Sequence, residues 1–236
     1  IAINKDGTMN EHAGFLKGLK VKEAREKIIQ ELKSKHLLVK QEQISHRTPI
    51  SERSKAEIEF IEMPEFYLKQ LNLKSKIKEI LKKIDFDPKE AKKILHAWIN
   101  SISIDWPISR RRFYATPIPL WYSDDLIAIP KPGKYFTPWE QSPPNDAEVM
   151  KNKKIIGTVK DFKNKNWKAE ERVLDTWMDS SISELYILKY LSDDKFFKRA
   201  YPASLRPQGK EIVRTWLYYT ILRGYLETGK PCFKEA

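Results

Sequence analysis

Apolar and polar positions fall into stretches of clearly different period along the chain. Over residues 20–35, Val21, Ala24, Ile28 and Leu32 recur at helical spacing while Lys22, Glu23, Arg25, Glu26 and Lys27 cover the other faces, which predicts an amphipathic helix. Ahead of it, Asn4-Lys5-Asp6-Gly7 is a turn signal, and Gly14 and Gly18 break an irregular stretch. Behind it, Leu37-Leu38-Val39-Lys40 reads as a short strand and 41–55 as a polar loop. Ile58, Phe60 and Ile61 then alternate with glutamates as a half-exposed strand that Pro64 ends. Residues 66–83 predict a second amphipathic helix with Leu68, Leu71, Ile77, Ile80 and Leu81 on its apolar side. Pro88 opens a third, carrying Ala91, Ile94, Leu95, Trp98 and Ile99.

The pattern is weakest over 123–172, where Pro130, Pro132, Pro138, Pro143 and Pro144 stand in a polar background; this predicts a surface insertion rather than core. Helices over 180–191 and 212–227 and a strand over 203–206 complete the reading. With 236 residues, 41% hydrophobic and 32% charged, the chain is globular and long enough for one large domain or two modest ones. No window approaches the roughly 18 apolar residues of a membrane span, and the opening IAINKDGTMN is no signal peptide. One cysteine, Cys232, excludes an internal disulfide and any four-cysteine metal site, and suits the reducing cytoplasm. A net charge of +12 favours a polyanionic partner such as nucleic acid. The chain lacks an initiator Met and opens in mid-pattern, so an excised or incomplete piece is expected.

Three short stretches hold the candidate chemistry. Ile104-Asp105-Trp106-Pro107-Ile108-Ser109-Arg110-Arg111-Arg112 runs on through Phe113-Tyr114-Ala115-Thr116-Pro117-Ile118-Pro119-Leu120-Trp121. Leu174-Asp175-Thr176-Trp177-Met178-Asp179-Ser180-Ser181 follows. Tyr201-Pro202-Ala203-Ser204-Leu205-Arg206-Pro207-Gln208-Gly209-Lys210-Glu211 then leads into Ile212-Val213-Arg214-Thr215-Trp216. Gln208-Gly209-Lys210-Glu211 joins a predicted strand to a helix start, where free backbone N–H groups and an absent side chain suit a nucleotide; a solvated turn with a charged cap is the plain alternative. Arg110, Arg111 and Arg112, with Trp106, Phe113 and Tyr114 around them, suit phosphates and unpaired bases equally with a charged strand entry at a domain junction. Asp175, Asp179, Ser180 and Ser181 either polarise a pocket or cap the helix predicted to begin near Ser180, and capping suits the serines better.

In this order the three stretches resemble class I aminoacyl-tRNA synthetases of the valine/isoleucine/leucine subgroup, and their wording is most similar to archaeal-type valyl-tRNA synthetases. Asp6-Gly7-Thr8, Ala13-Gly14 and the helix over 22–35 resemble the tail of the family's inserted editing domain. The resemblance implies an α/β fold: 1–48 the end of the editing domain, 49–103 a strand and helical connector, and 104–236 the second half of a Rossmann-like catalytic domain with its insertion at 123–172. It implies a valine–tRNA ligase acting on ATP with magnesium, valine and tRNA(Val) in the cytoplasm, with hydrolytic editing of mischarged threonine. An isoleucyl or leucyl enzyme, or a non-catalytic tRNA-binding or assembly module, is the alternative.

By the same resemblance Trp177 and Trp216 wall the amino-acid side-chain pocket; ordinary core tryptophans are the alternative. Gln208 and Gly209 pack against the adenylate, and the acid at Glu211 holds the ribose. The family pattern has Asp at Glu211 and His at Lys210. Its His-Ile-Gly-His and Lys-Met-Ser-Lys-Ser signatures are not in the chain, so catalysis by the isolated chain is not expected without complementary flanking segments. Relatives carry zinc-binding cysteines near residue 50 and after the Pro-Ile-Pro-Leu-Trp stretch. This chain has Ser51-Glu52-Arg53-Ser54 and Tyr122-Ser123-Asp124-Asp125 there, and His12, His36, His46 and His96 show no ligand spacing, so no zinc is expected.

Overall fold

The computed structural model describes residues 2–45, 47–52 and 54–236, so His46 and Arg53 lie outside the described residues. Two units divide the chain, Ile1–Pro64 and Glu65–Ala236. In the first, the Asp6 carboxylate accepts from both the backbone N–H and the hydroxyl of Thr8, closing the predicted turn. Helix α1 (Val21–Ser34) starts where the Glu23 carboxylate takes the Lys20 N–H, and Ala24 is its buried position. The strand expected at 37–40 does not form: no ladder partner reaches it, and Val39 is 99% exposed. The strand expected around Ile58–Ile61 is likewise absent, apart from an isolated bridge between Ile50 and Glu57.

The second unit starts as a strand where a helix is predicted. Strand β1 (Tyr67–Leu68) occupies the first turn of the expected 66–83 helix, and α2 spans only Lys74–Leu81. Distant side chains decide this: Ser109 Oγ accepts the Phe66 N–H, and Asp105 Oδ1 accepts the N–H groups of Gln70 and Leu71. Helix α3 (Glu90–Ser101) follows as expected. Strand β2 (Trp106–Pro107) pairs antiparallel with β1, and β3 (Ser109–Arg110) pairs antiparallel with β9 (Val173–Leu174).

Between β3 and β9 lies a five-stranded antiparallel sheet of β4 (Trp121–Ser123), β5 (Leu126–Ile129), β6 (Glu148–Lys151), β7 (Lys154–Thr158) and β8 (Lys168–Ala169), ordered β7-β6-β5-β4-β8. The weak pattern of 123–172 therefore hides a folded sheet with a core of its own, built on Trp121, Leu126, Ala128, Ala147, Val149 and Val159. The Trp121 indole N–H donates to the carbonyls of Gln141 and Pro138, which fixes the proline-rich loop over that core.

Three short helices follow: α4 (Thr176–Ser181), α5 (Ser183–Ile187) and α6 (Asp194–Ala200). The helix expected to begin near Ser180 begins at Thr176, because Asp175 is its cap. Strand β10 (Ala203–Leu205), a π-helical turn over Val213–Leu217, helix α7 (Tyr218–Thr228) and strand β11 (Phe233–Glu235) then form a β–α–β unit with parallel strands. Asp85 bridges Glu235 in parallel on the far side of β11. A Cβ at Gly224 would sit 2.9 Å from the Cys232 Cβ, so only glycine lets α7 approach β11 this closely. Ile77, Leu81, Leu95, Ile99, Leu217, Ile221 and Phe233 meet in one core beneath this α/β arrangement.

Candidate functional site

Asp175 organises the first part of the site. Its Oδ1 caps α4 by accepting the Trp177 N–H at 3.1 Å, while Oδ2 accepts from the Arg110 guanidinium at 2.6 Å and from the Trp106 indole at 3.2 Å. Its own N–H donates to the Ile108 carbonyl at 2.8 Å. Trp106, so held, stacks on Tyr219 with ring centroids 3.8 Å apart, and Trp177 lies 6.5 Å from the same tyrosine. Burial, with the Asp175 charge second, raises the Tyr219 hydroxyl above its ordinary range. Trp177, Arg110 and Arg112 open onto a niche of about 220 Å³.

The three arginines thus have separate fates. Arg110 also donates to the carbonyls of Pro107 and Ser109 and is bound internally. Arg111 is ion-paired with Glu65. Arg112 is exposed at the niche mouth, beside the fully exposed Phe113 and Tyr114. The serines of the Asp175–Ser181 segment take no part in starting the helix; Ser181 Oγ donates to the Met178 carbonyl in its last turn.

Trp216 lies on the π-helical turn, and its indole N–H reaches the Ser180 carbonyl at 3.1 Å, tying two of the sequence motifs together. The Arg206 guanidinium carbon lies over its ring, 3.5 Å from the centroid. Arg206 is paired with Glu184 at 2.5 Å and donates to Ser183 Oγ at 3.1 Å. Burial raises the Glu184 carboxyl despite this partner, and burial likewise lowers the Arg206 guanidinium. Neither residue was singled out by function from sequence. The available signals were a lone acid in Ile182-Ser183-Glu184-Leu185 and a lone base at the end of an apolar strand.

Gln208 and Lys210 line a cleft of about 620 Å³ with Phe86, Ile94, Val213 and Leu217. Gln208 Oε1 is buried with no hydrogen-bond partner among the described residues. The Glu211 carboxylate lies directly over Gly209, in the space a side chain at 209 would need, and Glu211 also faces a groove shared with Lys210 and Arg214. Among the described residues no three His, Cys, Asp or Glu side chains converge as metal ligands.

A second polar cluster was not anticipated. Glu65 accepts from Ser109 Oγ and pairs with Arg111 and Arg172, and Arg172 also binds Glu170, which accepts from the Tyr122 hydroxyl at 2.7 Å. Burial alone would raise the Glu170 carboxyl, but hydrogen bonds from Arg172 and Tyr122 outweigh it and bring it down to about 2.

Residues 11–236 match the family model described as tRNA synthetases class I (I, L, M and V). The chain is 45% identical over 236 residues to the valine–tRNA ligase of Aeropyrum pernix, covering 99% of this chain and 28% of that protein. It is 48% identical over 228 residues to the enzyme of that name from Nanoarchaeum equitans (92% and 28%) and 43% identical over 235 residues to that from Methanocaldococcus jannaschii (99% and 25%). It therefore spans little more than a quarter of the length of these relatives. A Mycobacterium tuberculosis methionyl-tRNA synthetase solved with methionyl-adenylate aligns with a TM-score of 0.45 at 15% identity, over 82% of this chain and 30% of that one.

Proposed function

The chain belongs to the class I tRNA synthetases of the I, L, M and V group, and on that premise we propose that it is the part of a valine–tRNA ligase that holds half of the amino-acid and adenylate site. The observation that carries the reading is identity of 43–48% with archaeal valine–tRNA ligases over 92–99% of the chain. The substrates are valine, ATP as its magnesium complex and tRNA(Val), and the location is cytoplasmic. Among the described residues no helix is long and apolar enough to cross a membrane. Residues 1–48 end the editing domain, 49–103 connect, and 104–236 form the second catalytic half with its insertion at 123–172.

In this reading Trp177 and Trp216 wall the side-chain pocket. The loop at Gln208 and Gly209 receives the adenylate, and Glu211 swings off Gly209 to meet the ribose. The unpartnered Gln208 Oε1 supports it, since a buried acceptor left unpaired costs about 1–3 kcal/mol and a ligand donor would remove that cost. The reaction joins valine to the AMP part of ATP with release of pyrophosphate, then passes the valyl group to the tRNA 3′ end with release of AMP. The chain's contribution is orientation. An apolar pocket separates substrates differing by one methylene only ~10–200-fold and cannot strongly reject an isostere that carries a hydroxyl in place of a methyl, as threonine does beside valine, which is why an editing domain accompanies the site.

Calorimetry with non-hydrolysable valyl-, isoleucyl- and threonyl-adenylate analogues tests the assignment, with Trp177→Ala and Gly209→Trp as controls. Saturable binding that prefers valyl and is lost in both variants is expected. Preference for isoleucyl would reassign the parent enzyme. No binding by a chain shown to be folded would leave it as a tRNA-binding or assembly module.

A further inference from the structure

We propose that the buried Glu184–Arg206 pair is a positioning device for Trp216, and through that indole a determinant of side-chain selectivity. The proposal rests on Trp216 being a pocket wall, as set out above. Arg206 is 5% and Glu184 6% exposed, so two full charges have been withdrawn from water. Stability alone does not account for them, because apolar residues of similar volume at a buried ion pair are often neutral or stabilising. What the pair supplies is geometry.

The guanidinium is planar, and Glu184 and Ser183 grip it from the α5 side with its central carbon over the indole ring, where a planar group makes its closest contact through its face. That contact sets the plane of the ring. The hydrogen bond from Trp216 Nε1 to the Ser180 carbonyl sets its rotation within the plane. Two constraints of different direction leave the indole a single orientation. The Arg206 Nε is buried with no partner, so the group is not placed to maximise its hydrogen bonds. Its face is what is used.

Arg206 also fixes the start of the Gln208–Gly209 loop, since its backbone N–H donates to the Glu235 carbonyl at 2.8 Å. One residue therefore sets both the wall that measures the amino-acid side chain and the origin of the loop that receives the adenylate. An aromatic wall discriminates by shape only as well as its plane is held, and small displacements of a positioning group have large effects on bound geometry.

The test uses two variants of the chain. Arg206→Lys keeps a charge opposite Glu184 but removes the flat face, and Glu184→Leu with Arg206→Met removes both charges while keeping the volume filled. Each is titrated with valyl- and isoleucyl-adenylate analogues. The Trp216 emission is isolated by subtracting the spectrum of Trp216→Phe. The expected result is that valyl-over-isoleucyl selectivity falls at least about tenfold in both variants, with a smaller loss of valyl affinity, and that the Trp216 spectrum shifts. Unchanged selectivity and an unchanged spectrum in either folded variant would overturn the proposal. If Arg206→Lys fails to fold, the apolar double variant decides alone. Wild-type binding abolished by Trp216→Ala but indifferent to Arg206 leaves the pocket assignment standing and removes this one. A folded wild-type chain that binds no analogue removes both.

Discussion

Asp175 shows how one carboxylate carries several structural duties: a helix cap, a half-buried ion pair with Arg110 and the anchor of the Trp106 indole. Asp175→Ala should cost about 3–5 kcal/mol in urea unfolding, because it strands a guanidinium and uncaps α4 together. Asp175→Asn, which can still cap, should cost about half as much; a loss under about 1 kcal/mol for Asp175→Ala would contradict the role. Glu170 makes a pH prediction. Its carboxyl is lowered to about 2 in the folded chain from an ordinary 4.5, so its stabilisation is complete above pH 4.5 and is lost as pH falls toward 2. Glu170→Gln should flatten the acid limb of a stability-versus-pH curve over that window. An unchanged limb would remove Glu170 from the cause of acid unfolding.

Among elements, what the sequence made legible was what local pattern determines. The helices at 21–34 and 90–101 and the strand at 203–205 are set by their own periodicity. The apolar run at Leu37-Leu38-Val39 looks like a strand but has no ladder partner, so Val39→Lys should change stability by no more than about 0.5 kcal/mol. The first turn after Phe66 is a strand because Ser109 and Asp105, some 35 to 43 residues away, take its N–H groups, and no local window contains that information. The sheet of β4–β8 was hidden because its strands are two to five residues long and five prolines fill the connection between β5 and β6, although Leu126 and Ala128 alternate inward as a strand should. Trp121→Ala should destabilise this sheet by about 3–5 kcal/mol and raise amide exchange in β4–β7 before α7. The site divides the same way. Trp177 and Trp216 stand in recognisable motifs, whereas Glu184 and Arg206 are 22 residues apart on different elements and meet only in the fold.

For the whole molecule, a net charge of +12 makes any binding of tRNA strongly dependent on salt. Of the three adjacent arginines only Arg112 lies outside the internal ion pairs described here. Arg112→Ala should therefore lower the slope of log affinity against log salt by about 1 with no loss of stability, while Arg110→Ala should show its main effect in unfolding. The π-helical turn at Val213–Leu217 has a consequence of another kind, one of phase. It puts an extra residue into the start of a helix whose later part is locked in the core by Ile221 and Leu222. Deleting one residue there would leave a sound α-helix, better bonded than before. Every side chain ahead of the deletion would be turned by about 100° against the core, Trp216 among them where the deletion falls after it. The result would be a continuous helix out of step with its own site and with the core that Val213 and Leu217 help to fill, which makes the irregular turn the clock by which the pocket and the core are kept in time.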